Sequence, residues 1–307
     1  MMEGTGAAAE TPIVLSFDVE EHYRIEAAAG LEFSPEQKAH YAARLEPSTR
    51  WILDELARQD IKATFFIVGQ IARDNPSLVK AIHNAGHEVA SHSWAHLRIH
   101  NLTPDSFRED LRLSKDALEQ VTGEAVVGFR APTFSVVRQT AWALDVLAEA
   151  GLHYDSSIYP VRHDRYGVPQ APRAPFIARG PEREILELPP MTLRLLGNNV
   201  PLGGGGYFRL LPLFFMEKAL RQTARNCVPP VAVLYFHPWE FDPEQQRLPL
   251  KMLSKFRTYV GIARSRERLT TLLSRHRFCR ARDVAEQLDR AALPSFPLHE
   301  ETISAVA

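Results

Sequence analysis

"KATFFIVGQIARDNPSLVKAIHNAGHEVASH" (62–92) decides the fold class. KATFFIVG (62–69) is an apolar run of strand length, bounded by a glycine. NPSLVKAIHNAG (75–86) has helical apolar spacing, proline in its first turn and Gly86 at its end, which predicts a helix. HEVASH (87–92) then reads as the next strand. Strand, helix and strand in this order imply parallel strands joined by crossover helices.

The alternation extends both ways. PIVLSFDV (12–19) predicts a buried strand, and STRWILDELARQD (48–60) a helix capped by Ser48 or Thr49. Downstream come a helix over 103–123 with Thr103 as cap and Pro104 at its first position, a strand over 125–132 and a helix over 138–151. The Pro- and Arg-rich segment 161–182 reads as a long loop over a barrel mouth. Strands resume at REILELPP (183–190) and VAVLYFHP (231–238), with a helix near 212–224 between them. Helices near 248–262, 266–276 and 281–291 close the chain. Six or seven parallel strands fit either a barrel or an open doubly wound sheet, and in both chemistry gathers at the C-terminal strand ends.

A chain of 307 residues, 45% hydrophobic, suits one large core with extensions. The expected division is a flexible start (1–11), a barrel (12–245) and a C-terminal helical extension (246–307) packed on it. A formal charge of −1 gives no general attraction to nucleic acid or anionic membranes. Seven arginines between Arg264 and Arg282 are the local exception, read as a solvated helix face or a basic patch. Cys227 and Cys279 stand alone, which indicates neither a disulfide framework nor a thiolate metal site. The opening MMEGTGAAAETP lacks signal-peptide features, and no apolar run reaches membrane-span length, so a soluble cytoplasmic protein is expected.

Ligand-type residues recur at four predicted strand ends: Asp18 and Glu20 after VLSF, His92 with His96 after HEVAS, Arg130 after VVGF, and His237 after VLYF. Such ends converge in space, so these groups can share a pocket. His92 and His96 can face the same way on a helix or tight turn. Two imidazoles and one carboxylate suit Zn²⁺, and also Fe²⁺, Co²⁺ or Ni²⁺, in a catalytic type of site with open positions. In an extended segment Asp18 and Glu20 point to one face, so one can bind the ion while the other acts as base.

SFDVE, HSWAH, FRAPTF and LYFH, in this order, resemble the motifs of the polysaccharide deacetylases, the NodB-like carbohydrate esterases. GGGGYFR with the C-terminal extension is similar to the subfamily of exopolysaccharide and exosortase loci. The resemblance implies a distorted (β/α) barrel in which a divalent metal, zinc first, assists hydrolysis of an N-acetyl group on a hexosamine. It casts Asp18 as base, His92 and His96 as metal ligands, Arg130 as the residue orienting the base, and His237 as general acid. Val19 stands where the family carries a second Asp, and Glu20 is its substitute as ligand.

Asp155, in YDSSIYP, is expected beside Arg130, and the partner of His237 is left open among Asp155, Glu240 and Asp242. A backbone N–H near Thr133 or Phe134 would serve the oxyanion. Tyr23, Trp94, Phe134, Tyr159, Tyr207 and Trp239 offer faces for sugar rings, Trp94, Phe134, Tyr159 and Trp239 foremost, and the glycine run at 203–206 a tight backbone loop lining the pocket. A carbohydrate substrate and association with exopolysaccharide assembly machinery follow from the resemblance, with no nucleic-acid partner. An allantoinase-like amidase and an inactive sugar-binding barrel are the alternatives.

Overall fold

Every residue of Ile13–Val19 (β1) is buried, as expected for a strand covered on both faces. In the computed structural model, which describes residues 11–163 and 165–299, β1 pairs in parallel with Thr64–Ile67 (β2), followed by Glu88–Ser91 (β3), Gly128–Phe129 (β4) and Tyr154–Asp155 (β5). Phe176–Arg179 (β6) and Glu184–Glu187 (β7) form an antiparallel pair, with β7 against β5. Thr192–Leu195 (β8) and Asn198–Pro201 (β9) make a separate hairpin. Ala232–Phe236 (β10) lies on the other side of β1, and Ser295–Pro297 (β11) extends the far edge beside β6.

The sheet order β10-β1-β2-β3-β4-β5-β7-β6-β11 is that of a distorted (β/α) barrel, mostly parallel and left open between its two edges. The expected flexible start falls, Thr11 apart, outside the described residues.

The helices are Pro35–Ala43 (α1), Leu45–Arg58 (α2), Gly69–Asp74 (α3), Pro76–Asn84 (α4), Pro104–Thr122 (α5), Ala143–Glu149 (α6), Gly205–Leu210 (α7), Leu213–Asn226 (α8), Met252–Tyr259 (α9), Ser265–Leu273 (α10) and Ala281–Gln287 (α11). Thr103 caps α5 as the sequence indicates, and Asn75, read there as part of the helix, is the cap of α4; proline follows each. α2 differs from expectation. It starts at Leu45, and the Ser48 and Thr49 hydroxyls donate to the carbonyls of Arg44 and Leu45 instead of capping. The apolar face runs back to buried Leu45, and Pro47 sits in the first turn, where a missing N–H costs nothing.

Three further differences have local causes. Of 125–132 only Gly128 and Phe129 pair, because the chain then turns into the cleft; a Cβ on Gly128 would lie 2.2 Å from the Tyr154 ring. The expected helix over 138–151 is broken into a short 3-10 turn, Arg138–Thr140, and α6. The segment 161–182 is not all loop, since β6 lies within it.

The main core gathers the inward faces of the sheet and its helices, with Phe17 stacked on Phe65 at 5.1 Å. The C-terminal region closes the N-terminal end of the sheet. Cys279 exchanges backbone hydrogen bonds with the start of β1, and the first N–H groups of α11 donate to Thr64 and Glu88 side chains.

Candidate active site

Asp18 is the penultimate residue of β1 and Glu20 lies one residue beyond its end, both buried. β3 ends at Ser91, and the next five residues make a tight turn in which Ser93 and His96 both take positive φ, +64° and +59°. Such backbone costs roughly 1–3 kcal/mol per residue. Four hydrogen bonds hold it: Gly69 N–H to Ser93 O, Gln70 N–H to Trp94 O, Trp94 N–H to Asp110 Oδ1, and His96 N–H to Ser93 Oγ. The turn brings the His92 and His96 rings to 5.0 Å between centroids, and His96 Nε2 against Glu20 Oε2.

One ligand-type atom from each of Glu20, His92 and His96 lies within 4.8 Å of the others. The His92 Nδ1–H donates to Arg130 O at 2.7 Å, which leaves Nε2 with its lone pair toward the cleft. Burial holds the His92 pKa down to about 4, so the ring is neutral. Burial alone would raise the Glu20 carboxyl, but His96 beside it, with His237 and His92, brings it well below the usual range. Two imidazoles, one fixed as a neutral donor, and one ionised carboxylate are a donor set that fits a divalent cation.

Arg130 follows β4 and is wholly buried. Its Nη1 donates to Asp18 Oδ1 at 2.7 Å and Ser16 Oγ at 2.8 Å, while Nε and Nη2 go to Ser156 O and Oγ. Its guanidinium also lies 4.1 Å over the Phe66 ring. A planar fork with several donors suits this buried, many-partnered position, and the ion pair fixes the Asp18 carboxylate. Asp155 is not a partner of Arg130. It accepts from Ser157 Oγ and faces Glu187, and burial pushes both carboxyls up, Asp155 to about 6.

His237 follows β10. Its Nε2 stands 3.9 Å from Asp18 Oδ2 and 3.7 Å from Glu20 Oε1, between the two carboxylates. Its Nδ1–H and backbone N–H both donate to Glu240 Oε1, at 2.8 and 3.0 Å, and Arg209 Nε donates to Glu240 Oε2 at 2.7 Å. Glu240 is thus the partner that the sequence leaves open; Asp242 is taken by Arg44 at 2.6 Å. Burial opposes a charge on His237, but the bond to Glu240 and the nearby carboxylates push its pKa up to about 9.

Asp18, Glu20, His92, His96, His237 and Glu240 line one cleft of about 190 Å³ together with Ala131, Thr133, Phe134, Tyr166, Tyr235, Trp239 and the α7 residues Gly205, Gly206 and Arg209. Thr133 and Phe134 have φ of +57° and +50°, a second strained turn facing the first across the cleft. Phe134 N–H is used by Ala131 O, whereas the turn's own bonds do not use Thr133 N–H. Trp239 Nε1 donates to Glu20 Oε1. Four of the six expected aromatic faces stand outside the lining: Tyr23 and Tyr207 are not among its residues, Trp94 lies under the Arg73 guanidinium against Gly69, and Tyr159 is buried beneath Phe134 with its hydroxyl on Met191 O. Tyr235, Tyr166 and Arg209 join the cleft without having been singled out. Tyr235 could have been found, because it sits two residues before His237 on the same strand face. The glycine run enters as expected, since Gly204 pairs with Tyr235 so closely that a Cβ would lie 1.7 Å from its carbonyl oxygen.

Residues 35–154 match the family model described as polysaccharide deacetylase, and 156–286 match one described as a domain of unknown function. Asp18 and Glu20 precede the first matched range, and His237 lies in the second. A peptidoglycan-N-acetylglucosamine deacetylase of Bacillus cereus is 32% identical over 95 residues, 31% of this chain and 34% of that protein. The Listeria monocytogenes enzyme of the same description, PgdA, is 37% identical over 94 residues, 30% of this chain and 20% of that protein. The chain thus spans about a third or less of these relatives' length.

Among solved structures, a Mycobacterium smegmatis protein assigned as a polysaccharide deacetylase aligns over 94% of this chain and 93% of its own, with 20% identity and a TM-score of 0.60. Puue allantoinase aligns over 91% and 90%, with 17% identity and a TM-score of 0.61. At these identities the likeness is one of fold. No helix among the described residues is long and apolar enough to cross a membrane. The chain thus carries a polysaccharide deacetylase match over residues 35–154 and the second match over 156–286, on a fold shared with these solved structures.

Proposed function

We infer that the protein is a metal-dependent hydrolase that removes N-acetyl groups from an N-acetylhexosamine-containing polysaccharide or its precursor. The observation that carries this is the convergence of the Glu20, His92 and His96 ligand atoms beside Asp18, whose Oδ1 is held by Arg130 Nη1 at 2.7 Å. Glu20, His92 and His96 would hold the divalent ion. Bound there, it would polarise the acetamide carbonyl and make a water acidic enough to deprotonate near neutral pH.

Asp18 takes the water's proton as the C–O bond forms. Its Oδ1 is occupied by Arg130, so Oδ2, on the cleft side, is the accepting oxygen. Thr133 N–H is the backbone donor for the oxyanion of the tetrahedral intermediate, held by a turn whose shape is fixed beforehand. His237, with Nδ1 bound to Glu240, gives the Nε2 proton to the departing amine as the C–N bond breaks. Acetate and the free amino sugar leave. Phe134 and Trp239 give apolar faces against which a sugar ring can lie.

Zinc as the ion, an exopolysaccharide precursor handled beside its assembly machinery as the glycan, and the division into a 12–245 barrel with a 246–307 extension complete the reading. They rest on the motif resemblance and the donor set. The relatives described as N-acetylglucosamine deacetylases support a glycan substrate. The test is acetate release from N-acetylglucosamine oligomers by protein stripped with chelator and reloaded in turn with zinc, cobalt, nickel or ferrous iron. Release should appear only after reloading. Absence of acetate with every ion, or undiminished release from the stripped protein, overturns the reading.

A further inference from the structure

Residues 245–266 carry six basic side chains, those of Arg247, Lys251, Lys255, Arg257, Arg264 and Arg266, and no acidic one, in a chain whose formal charge is −1. The middle of this stretch is α9. Its C-terminal turn is docked: Thr258 and Tyr259 are buried, and Arg209 donates to Thr258 O at 2.5 Å and Val260 O at 3.1 Å. Its first turns face outward, with Met252 89% exposed, Leu253 62% and Phe256 55%.

At positions i, i+1 and i+4 these three share one side of the helix. Lys251 and Lys255 run along one flank of that side and Arg257 along the other. All three cations are exposed, and none forms an ion pair among the described residues.

Single exposed apolar residues are ordinary, but three large ones on adjacent turns between unpaired cations are not. Protein interfaces are depleted in lysine at their centres. An apolar stripe edged by Lys and Arg is instead the pattern of a helix that lies in the headgroup region of a bilayer. The absence of any acidic side chain over the whole stretch matches a negatively charged lipid surface.

We propose that α9 is a docking surface for an anionic lipid bilayer. Met252, Leu253 and Phe256 enter the boundary between headgroups and acyl chains, while Lys251, Lys255 and Arg257 meet lipid phosphates. Arg209, which grips the end of α9, also lines the cleft with its neighbour Gly206, and α7 leaves Tyr207 and Leu210 partly exposed. Docking would therefore hold the cleft beside the membrane, within reach of a glycan anchored there. That last consequence rests on the deacetylase reading; the docking does not.

The experiment is flotation of the full chain with vesicles of phosphatidylcholine alone and of phosphatidylcholine mixed with phosphatidylglycerol. The protein should float with the mixed vesicles, weakly with the neutral ones, and less as salt is added. Met252→Ser with Leu253→Ser and Phe256→Ser, and separately Lys251→Gln with Lys255→Gln, should each weaken binding by about tenfold or more. Both variants should keep the native thermal midpoint, since the changed side chains are exposed.

Failure to float with anionic vesicles, or flotation of both variants like the native chain, overturns the proposal. So does a native dimer in sedimentation that the apolar variant dissolves without any vesicle binding, which would assign the surface to a second copy. Flotation needs no turnover, so a protein that docks but releases no acetate refutes the enzymatic reading and leaves this one standing.

Discussion

Replacing Asp18 by Asn and, separately, Glu20 by Gln separates the base from the metal ligand. Asp18 is buried, with Oδ1 on Arg130 at 2.7 Å. An Asn of the same shape still offers Oδ1 to that guanidinium but cannot take a proton. Breaking a buried pair by removing one partner typically costs about 3–5 kcal/mol. Here Ser16 and Ser156 go on accepting from Arg130, and the amide keeps one bond, so the lower end applies, about 3 kcal/mol. Loss of a general base costs about 10²–10⁴ in turnover.

Glu20→Gln removes the one carboxylate of the ligand group and should weaken metal binding by more than the roughly 10–100-fold typical of losing an outer partner. The assays are metal content by atomic spectroscopy after gel filtration, acetate release from N-acetylglucosamine oligomers, and urea denaturation. D18N should keep its metal and lose turnover; E20Q should lose both, with activity partly restored by excess ion. Metal lost in D18N and kept in E20Q would reverse the two roles, and near-native turnover in D18N would refute Asp18 as base.

Glu240→Gln offers one acceptor oxygen where Glu240 now satisfies His237 Nδ1–H, His237 N–H and Arg209 Nε–H, so at least one donor is stranded. Turnover should fall by about a hundredfold with metal content unchanged; a fall of less than threefold would show that Glu240 does not position His237. Leu196, 92% exposed at φ +47° in the tip of the β8–β9 hairpin beside Gly197 at φ +78°, sits where Asn is preferred. Leu196→Asn should stabilise the protein by about 0.5–1 kcal/mol, read as a higher urea midpoint at equal slope; an unchanged or lower midpoint contradicts this. His87 is buried with Nδ1 accepting from Ala63 N–H, and burial, then the Lys62 and Arg280 charges, lower its pKa from 6.5 to about 4. Above pH 6.5 neither state is protonated. As pH falls from 6.5 to about 4 the unfolded chain takes the proton first, and up to about 3 kcal/mol is lost. Urea midpoints at the two ends of this range should differ less in His87→Asn than in the native chain, and equal differences would refute the assignment.

The parts of the fold that read directly from sequence are those with local causes. The cap at Thr103 with Pro104 gives α5 its start, Pro76 in the first turn marks that of α4, and unbroken apolar runs give β1, β2 and β10. The β8–β9 hairpin escapes because its turn is Leu-Gly and not the Asn-Gly that signals such a turn. β6 escapes because its pairing is settled by β7 and its four residues stand in an arginine- and proline-rich stretch that otherwise reads as loop. The site residues at strand ends are legible since parallel strands must converge there. Arg209 is not, because it reaches the cleft from a helix and its role depends on Glu240, thirty-one positions away. Trp94 errs in the other direction, as the left-handed Ser93 swings its ring out onto Arg73.

Charge pairing across the cleft favours Glu20 over Asp18 as the metal ligand. Buried carboxylates need a partner, and three face this space: Asp18, Glu20 and Glu240. Arg130 meets the first at 2.7 Å and Arg209 the third at 2.7 Å. Glu20 has no arginine against it among the described residues; its neighbours are His96, the Trp239 N–H and, farther off, His237. A carboxylate fixed to a guanidinium is held in one orientation, which serves a base. One left facing two imidazoles, with His92 tautomer-locked by the Arg130 carbonyl, is free to join them on a cation. Valine at position 19 points to the opposite side of the strand into the core, so the carboxylate proposed as ligand is that of the next residue on the cleft side, Glu20.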